Sequence, residues 1–537
     1  MTINRINIRW QDLFSQIDGL QTDVQNRICI EGEVIPIIFV PGIMGSRLRR
    51  RIDRAKIWDP DDPLFMVDKY GKFSATAAKR KALLIGSEFS PTYAEVHDDD
   101  PDHNKKINRK HDTTRDKRGW GGVMWGSYGP ILTKLQEHQW PSPLNACFEF
   151  PVHAFGYNWS ASNDDAGFTL KEYIDKTIDD YQYGVYSPDG RSRECNKVII
   201  VTHSMGGLVA RSACVLHGAE GKVLGVIHGV QPSVGSPAAY WRMKAGFERP
   251  RGGPHRQLWD WLRNPLKMAK HSLLGHISAV ILGTDGEEVT SLLGNSPGGL
   301  ELLPTKDYRD NAGNRDWLSY PGAKGEVRLP VADPYEEIYL LKDVAHRMVD
   351  PEWLDPGRQP NSDEEEYEEA GAWQNYVQHL SKAKDFQTRL GIKFHHESYQ
   401  FYGTDLDSPD RVEFSRRNYS HFQRDPFPQV HLSVNKGGFR TYVDRRDWPV
   451  TNREDAEAIV SLEPPSGKGD GTVPDSSGKI LLLGEVRTTK IGTNEGSWFE
   501  IGHQDIYGTP RAQNVVFTCI WNLAQKYIDD HMGPAEA

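Results

Sequence analysis

Apolar runs at residues 34–40, 148–155, 197–202 and 223–230 lack the in–out alternation of half-exposed strands and are short for helices. Such runs predict parallel strands buried on both faces. A fifth run, 397–402, ends at Gly403, and residues 481–483 predict either a sixth strand or a connecting turn. Helical periodicity follows Ser204, where Leu208, Val209, Ala213 and Cys214 return to one face. It recurs near the C-terminus in Val515, Val516, Cys519, Ile520, Leu523, Ala524, Tyr527 and Ile528. Strands alternating with helices predict an α/β fold, a mostly parallel sheet with helices on both faces.

Two long stretches break the alternation. Residues 47–140 are charged, and 97–118 is polar enough to predict a mobile loop; 238–394 holds an aromatic helical pattern at 258–282 and a polar run at 362–369. Both read as insertions into the sheet-forming core. The expected organisation is an N-terminal lead (1–30), core (31–46), lid (47–140), core (141–237), cap (238–394) and core (395–537). A chain of 537 residues exceeds one ordinary hydrophobic core, consistent with insertions.

Composition narrows the class of partner. The formal charge of −10 offers no general phosphate-neutralising surface, so no nucleic acid is expected as a ligand. Five scattered cysteines without C-x-x-C spacing predict neither a disulfide framework nor a structural zinc site. No apolar run resembling a signal peptide follows Met1, and none is long enough to span a bilayer. Folding in a reducing cytoplasm is expected, with any export by a route that takes a folded, signal-less protein.

The segment Lys197-Val198-Ile199-Ile200-Val201-Thr202-His203-Ser204-Met205-Gly206-Gly207 runs from a buried strand through a glycine-containing turn into a helix. That frame suits a nucleophile elbow, in which a strained turn aims a serine hydroxyl out of the sheet toward positive potential at a helix start. Thr202 stands where G-x-S-x-G has its first glycine. The literal pattern occurs instead at Gly294-Asn295-Ser296-Pro297-Gly298, but Pro297 has no N–H for an oxyanion and no apolar strand precedes it. Ser204 is therefore the candidate nucleophile. The alternative is an ordinary strand-to-helix turn.

An oxyanion hole would use the N–H of Met205 and a second N–H from the turn Pro41-Gly42-Ile43-Met44-Gly45-Ser46. Met44 is the first choice and Ile43 the second. Acid and base should follow the serine in that order. Asp470, between glycines in Gly469-Asp470-Gly471-Thr472-Val473-Pro474, is the expected acid, with Asp475 and Asp405 behind it. His503, in Ile501-Gly502-His503-Gln504-Asp505, is the expected base; His203 should point away from the serine hydroxyl and act structurally. This chemistry calls for no metal or cofactor. The cluster of His97, Asp98, Asp99, Asp100, Asp102 and His103 suits a solvated acidic loop better than a calcium site, because it lacks recognisable ligand spacing.

These motifs, with Phe39-Val40-Pro41-Gly42-Ile43-Met44-Gly45-Ser46-Arg47-Leu48, Tyr157-Asn158-Trp159 and Phe401-Tyr402-Gly403-Thr404, resemble the lecithin–cholesterol acyltransferase and GPI inositol-deacylase branch of the α/β-hydrolases. Asn158 stands where that branch usually has aspartate. Two further segments are similar to bacterial phospholipase effectors of type VI secretion: Gly119-Trp120-Gly121-Gly122-Val123-Met124-Trp125-Gly126-Ser127-Tyr128 and Gly235-Ser236-Pro237-Ala238-Ala239-Tyr240-Trp241-Arg242-Met243. The resemblance implies an α/β-hydrolase fold and a Ser204–His503–Asp470 triad. It implies hydrolysis of carboxylic esters in lipid at a membrane surface, after one-step delivery into a rival cell's envelope. A cognate immunity protein and a secretion-spike component are the partners it implies. Trp241, Phe247, Trp259, Trp261, Leu262, Leu266 and Met268, interleaved with Arg249, Arg251, Arg256, Arg263 and Lys267, suit a lipid headgroup boundary and equally a cap helix packed on the core. Two other functions fit the same residues: an acyltransferase, or a catalytically silent binding protein on this scaffold.

Overall fold

The computed structural model describes residues 3–12, 19–22, 24–71, 75–87, 89–186, 190–247, 283, 286–322, 325–342, 344, 346–357, 365–418, 458–463, 465–483, 487–492 and 502–532. The aromatic and cationic pattern of 248–282, including the helix expected at 258–282, lies outside the described residues.

Six strands form the central sheet: β1 (Ile37–Val40), β2 (Val152–Ala154), β3 (Val198–His203), β4 (Val223–Gly229), β5 (Ser398–Gly403) and β6 (Arg487–Ile491). Their order across the sheet is β6-β5-β4-β3-β1-β2, and every neighbouring pair is parallel. The first two expected strands are shorter than their apolar runs. Pro36 and Pro151 have no N–H to give to a ladder, so residues 33–34 and 148–149 pair separately as a small extension. Residues 480–483 form a 3-10 turn rather than a strand. The sixth strand is the polar Arg-Thr-Thr-Lys-Ile segment beyond it, at the sheet edge.

Burial on both faces explains the missing alternation. Ile37, Phe39, Ile199, Val201 and Ile227 pack on one side with helices α1 (Trp125–Gln136) and α5 (Pro510–Met532). On the other side Ile38, Val40, Val198, Ile200 and Val226 pack with α2 (Asn163–Gln182) and α3 (Gly206–Arg211). Helix α2 begins at Ser162, whose hydroxyl caps the Asp164 N–H. The C-terminal stripe predicted from periodicity buries Val516, Cys519, Ile520, Leu523, Ala524, Tyr527 and Ile528. This is the α/β-hydrolase architecture.

Residues 97–118 differ from the expected mobile loop. They include a helix, Pro101–Ile107, capped by Asp100. Arg47, 1% exposed, bridges Asp59 and Asp100 at 2.8 Å each. Asp59, His97 and Asp100 lie close enough to share a cation, and the guanidinium of Arg47 is the positive charge that meets both carboxylates. Charge in this stretch is spent on internal pairing, which polarity along the chain cannot reveal. A second core, built around Tyr240, Trp317, Tyr339 and Tyr376, lies with α4 (Pro237–Ala245). Its four-stranded sheet takes Leu318–Gly322, Gly325–Leu329, Val412–Asn418 and Ala458–Leu462. No described helix is long and apolar enough to cross a membrane.

Four thiols (Cys147, Cys195, Cys214 and Cys519) are free and buried. Burial pushes those of Cys195 and Cys214 up to about 12. Burial acts oppositely on imidazoles. His203 and His346 are pulled down to about 3, and His103 and His379 to about 4. In the unfolded chain these rings gain protons below about 6.5, whereas in the fold they stay neutral until about 3 to 4. Their contribution is therefore complete above about 6.5 and is lost as pH falls through the window, at about 1 kcal/mol per ring and pH unit. Thermal unfolding followed from pH 7.5 to pH 4.5 is expected to show a steep fall in Tm below pH 6. A flat profile would contradict neutral burial of these rings.

Candidate active site

Parallel register brings the ends of β1, β3, β4 and β5 to one edge: Val40 lies beside Thr202, His203 beside Gly229, and Gly229 beside Phe401. Ligands of open α/β sheets bind beyond this carboxyl edge. Ser204 follows β3 directly, with φ 53°, a left-handed conformation that an L-residue adopts only under constraint. Its N–H donates to the Gly229 carbonyl at 2.8 Å. A Cβ on Gly206 would stand 2.4 Å from the Pro41 carbonyl oxygen, so glycine lets α3 start against the end of β1. Strand, strained turn and helix thus follow in the order read from the sequence.

Ser204 Oγ is 2.7 Å from His503 Nε2, and His503 Nδ1 is 2.7 Å from Asp470 Oδ2. Asp470 sits in the turn predicted for it. Its Oδ1 accepts from the N–H groups of Thr472 (3.0 Å) and Val473 (2.7 Å). A Cβ on Gly469 would lie 2.2 Å from the Val473 carbonyl oxygen, and Gly471 has φ 92°; both positions suit glycine alone. The His503 N–H donates to the Asp470 carbonyl at 2.9 Å, tying the two residues through main chain as well. With Oδ2 accepting, Nδ1 carries the ring proton and Nε2 is free to accept the serine hydroxyl. Asp475 instead pairs with Lys479 at 3.6 Å, and Asp405 accepts from Thr404 Oγ1 at 3.1 Å.

The turn expected to stabilise an oxyanion lies against Ser204. A Cβ on Gly42 would meet Ser204 Cβ and His203 Nδ1 at 2.9 Å. Met44 has φ 63°, and its carbonyl is held by Trp58 Nε1 at 3.0 Å. Met205, completely buried, precedes the first turn of α3. Among the described residues, neither the Met44 nor the Met205 N–H donates in a backbone hydrogen bond.

His203 does turn away from Ser204 Oγ: Nδ1 lies 3.0 Å from Tyr128 Oη and Nε2 2.9 Å from the His503 carbonyl oxygen. Tyr128 was not singled out by its spacing, because its neighbours become known only when α1 docks on the sheet. Ser296, in the literal G-x-S-x-G pattern, caps a short helix and donates to the Ser160 carbonyl at 2.8 Å.

The fold is that of the α/β-hydrolases, and likeness to known proteins supports esterase or lipase chemistry. Residues 116–245 match the PGAP1-like alpha/beta domain family. The chain is similar to a protein of the Tle4–Tli4 complex: 25% identity, 92% of this chain and 99% of that chain covered, TM-score 0.66. Lipase BlEst2 of Bacillus licheniformis is 15% identical over 52% of this chain and 69% of its own, TM-score 0.17. Phospholipase PlaB of Legionella pneumophila is 12% identical over 64% and 79%, TM-score 0.17. No curated protein gives a significant match.

Proposed function

We propose that this chain is a serine lipase of phospholipase type that cleaves carboxylic ester bonds of membrane lipids as an antibacterial type VI secretion effector. The observation that carries the chemistry is the continuous chain of hydrogen bonds from Ser204 Oγ through His503 to Asp470 Oδ2. In this reading His503 Nε2 takes the serine proton as Oγ attacks the ester carbonyl, and Asp470 holds the ring and stabilises its cation. The N–H groups of Met205 and Met44 receive the oxyanion. Collapse expels the glycerol-side alcohol, protonated by His503. Water, deprotonated by the same ring, then releases the fatty acid and restores Ser204.

The lipid substrate and the effector role are supported by the likeness along 92% of the chain to a protein solved in the Tle4–Tli4 complex. The same likeness supports a cognate immunity protein as partner. Carriage by a secretion-spike component in one step to the target envelope belongs to the same proposal.

Mass analysis of products from defined phospholipid vesicles tests the reaction. One fatty acid and one lysophospholipid per turnover are expected, absent with Ser204→Ala. Phosphatidic acid or diacylglycerol would show phosphodiester cleavage and overturn the reading, and transfer of the acyl group to an added alcohol in preference to water would make the chain an acyltransferase.

A further inference from the structure

We infer that Tyr128 and His203 form a positioning relay that joins the oxyanion turn at Gly42 to the main chain of the base, His503. The inference rests on the function proposed above and assigns two residues to it. Tyr128 Oη accepts from the Gly42 N–H at 3.2 Å and stands 3.0 Å from His203 Nδ1. The other ring nitrogen, Nε2, is 2.9 Å from the carbonyl oxygen of His503. A carbonyl only accepts, so Nε2 carries the proton; Nδ1 is then an acceptor and takes the Tyr128 hydroxyl proton. The bonds run in one consistent direction, from Gly42 N–H to Tyr128 Oη and from its O–H to Nδ1, then from Nε2–H to the carbonyl at 503.

The surroundings hold this arrangement fixed. Tyr128 and His203 are each 1% exposed. The Tyr128 ring packs on Phe39 with centroids 5.0 Å apart, and that of His203 lies 5.0 Å from His503 and 5.8 Å from Tyr507. A Cβ on Gly45 would come 2.7 Å from Tyr128 Oη, so the hydroxyl is lodged inside the turn that carries the expected oxyanion donor. Burial and the neighbouring His503 pull His203 down to about 3, leaving it neutral and its bond directions unchanged at neutral pH. Neither side chain is hydrogen-bonded to Ser204 Oγ, which pairs with His503 Nε2; these are positioning residues.

Such a link matters because oxyanion donor and base come from loops more than 450 residues apart in the chain, yet catalysis requires both to be held within about 0.5 Å of productive geometry. A displacement of about 1 Å can cost a hundredfold in rate. Joining the two loops through one buried imidazole sets donor and base in a common frame around Ser204.

The test uses the full chain with Tyr128→Phe, His203→Gln and the double variant. The phenylalanine keeps the ring packed on Phe39, and glutamine keeps an amide donor toward the carbonyl at 503. Each single change is expected to lower kcat on phospholipid vesicles about 10- to 100-fold with KM within about twofold, and to slow fluorophosphonate acylation in parallel. The double variant is expected to lose no more than about twofold beyond the worse single variant, the non-additivity of residues in one network. Unchanged kcat, a loss confined to KM, or additive losses would overturn the relay. Independently of activity, long-range 1H–15N spectra of wild-type protein at pH 7 are expected to show His203 as the neutral Nε2–H form, with Nδ1 shifting in Tyr128→Phe. An Nδ1–H or charged ring would overturn it. Should wild-type protein fail both to hydrolyse phospholipid and to label, the functional reading falls while these spectra still decide the hydrogen-bonded link.

Discussion

Ser204→Ala is expected to lower kcat on phospholipid by about 10⁵- to 10⁶-fold, leaving only the residual rate of a site that binds and polarises an ester without attacking it. The alanine keeps the Cβ, so the left-handed turn at φ 53° and the packing against Gly42 are preserved. Tm is therefore expected to stay within a few degrees of wild type. The loss falls on chemistry alone because Ser127, Ser233 and Ser296, each followed two residues later by glycine, are occupied elsewhere. Ser127 Oγ accepts from Gln504, Ser233 Oγ from Gln400, and Ser296 Oγ donates to a carbonyl. Initial rates over a concentration series, with unfolding scans of both proteins, check the prediction. An alanine variant retaining even a hundredth of the activity would remove Ser204 from the mechanism.

Asp470→Asn is expected to cost about 10⁴-fold in kcat, and the hydrogen-bond pattern explains why so small a change does so much. Oδ1 accepts two backbone N–H groups, from Thr472 and Val473, so the amide oxygen must take that position. The amide NH2 then faces His503 and can only donate. Nδ1 is forced to accept, the ring proton moves to Nε2, and the base presents N–H to a hydroxyl whose proton it should remove. The fold should survive, because the backbone bonds that shape the turn remain. Circular dichroism and Tm close to wild type, beside the lost turnover, distinguish a tautomer effect from unfolding. Near-normal turnover would move the acid's role to another carboxylate.

The frame around Ser204 was legible because it is local: strand, turn and helix lie within about a dozen consecutive residues, and each leaves a mark in composition. The tight turn at Asp470 was legible for the same reason, through two glycines around one aspartate. What the chain conceals is whatever depends on docking. Tyr128 meets His203 and Gly42 only after α1 packs on the sheet, and Arg47 meets Asp59 and Asp100 only after three segments fold together, so a charged stretch reads as loop. The edge strand β6 escaped notice because its Arg-Thr-Thr-Lys-Ile sequence has little apolar character, whereas the apolar 481–483 invited a strand that the structure gives as a turn. The breaks at Pro36 and Pro151 were written in the sequence; a missing N–H cannot join a ladder.

The interior placement of Cys147, Cys195, Cys214 and Cys519 bears on how the molecule tolerates its chemical surroundings. Peroxide and disulfide exchange act through the thiolate, and at neutral pH Cys195 and Cys214, pushed up to about 12, present almost none. These sulfurs are screened by the same packing that holds the sheet together, so the native molecule should pass between glutathione-rich and oxidant-rich fluids without covalent change at them. Alkylation of these four thiols is instead tied to opening of the core.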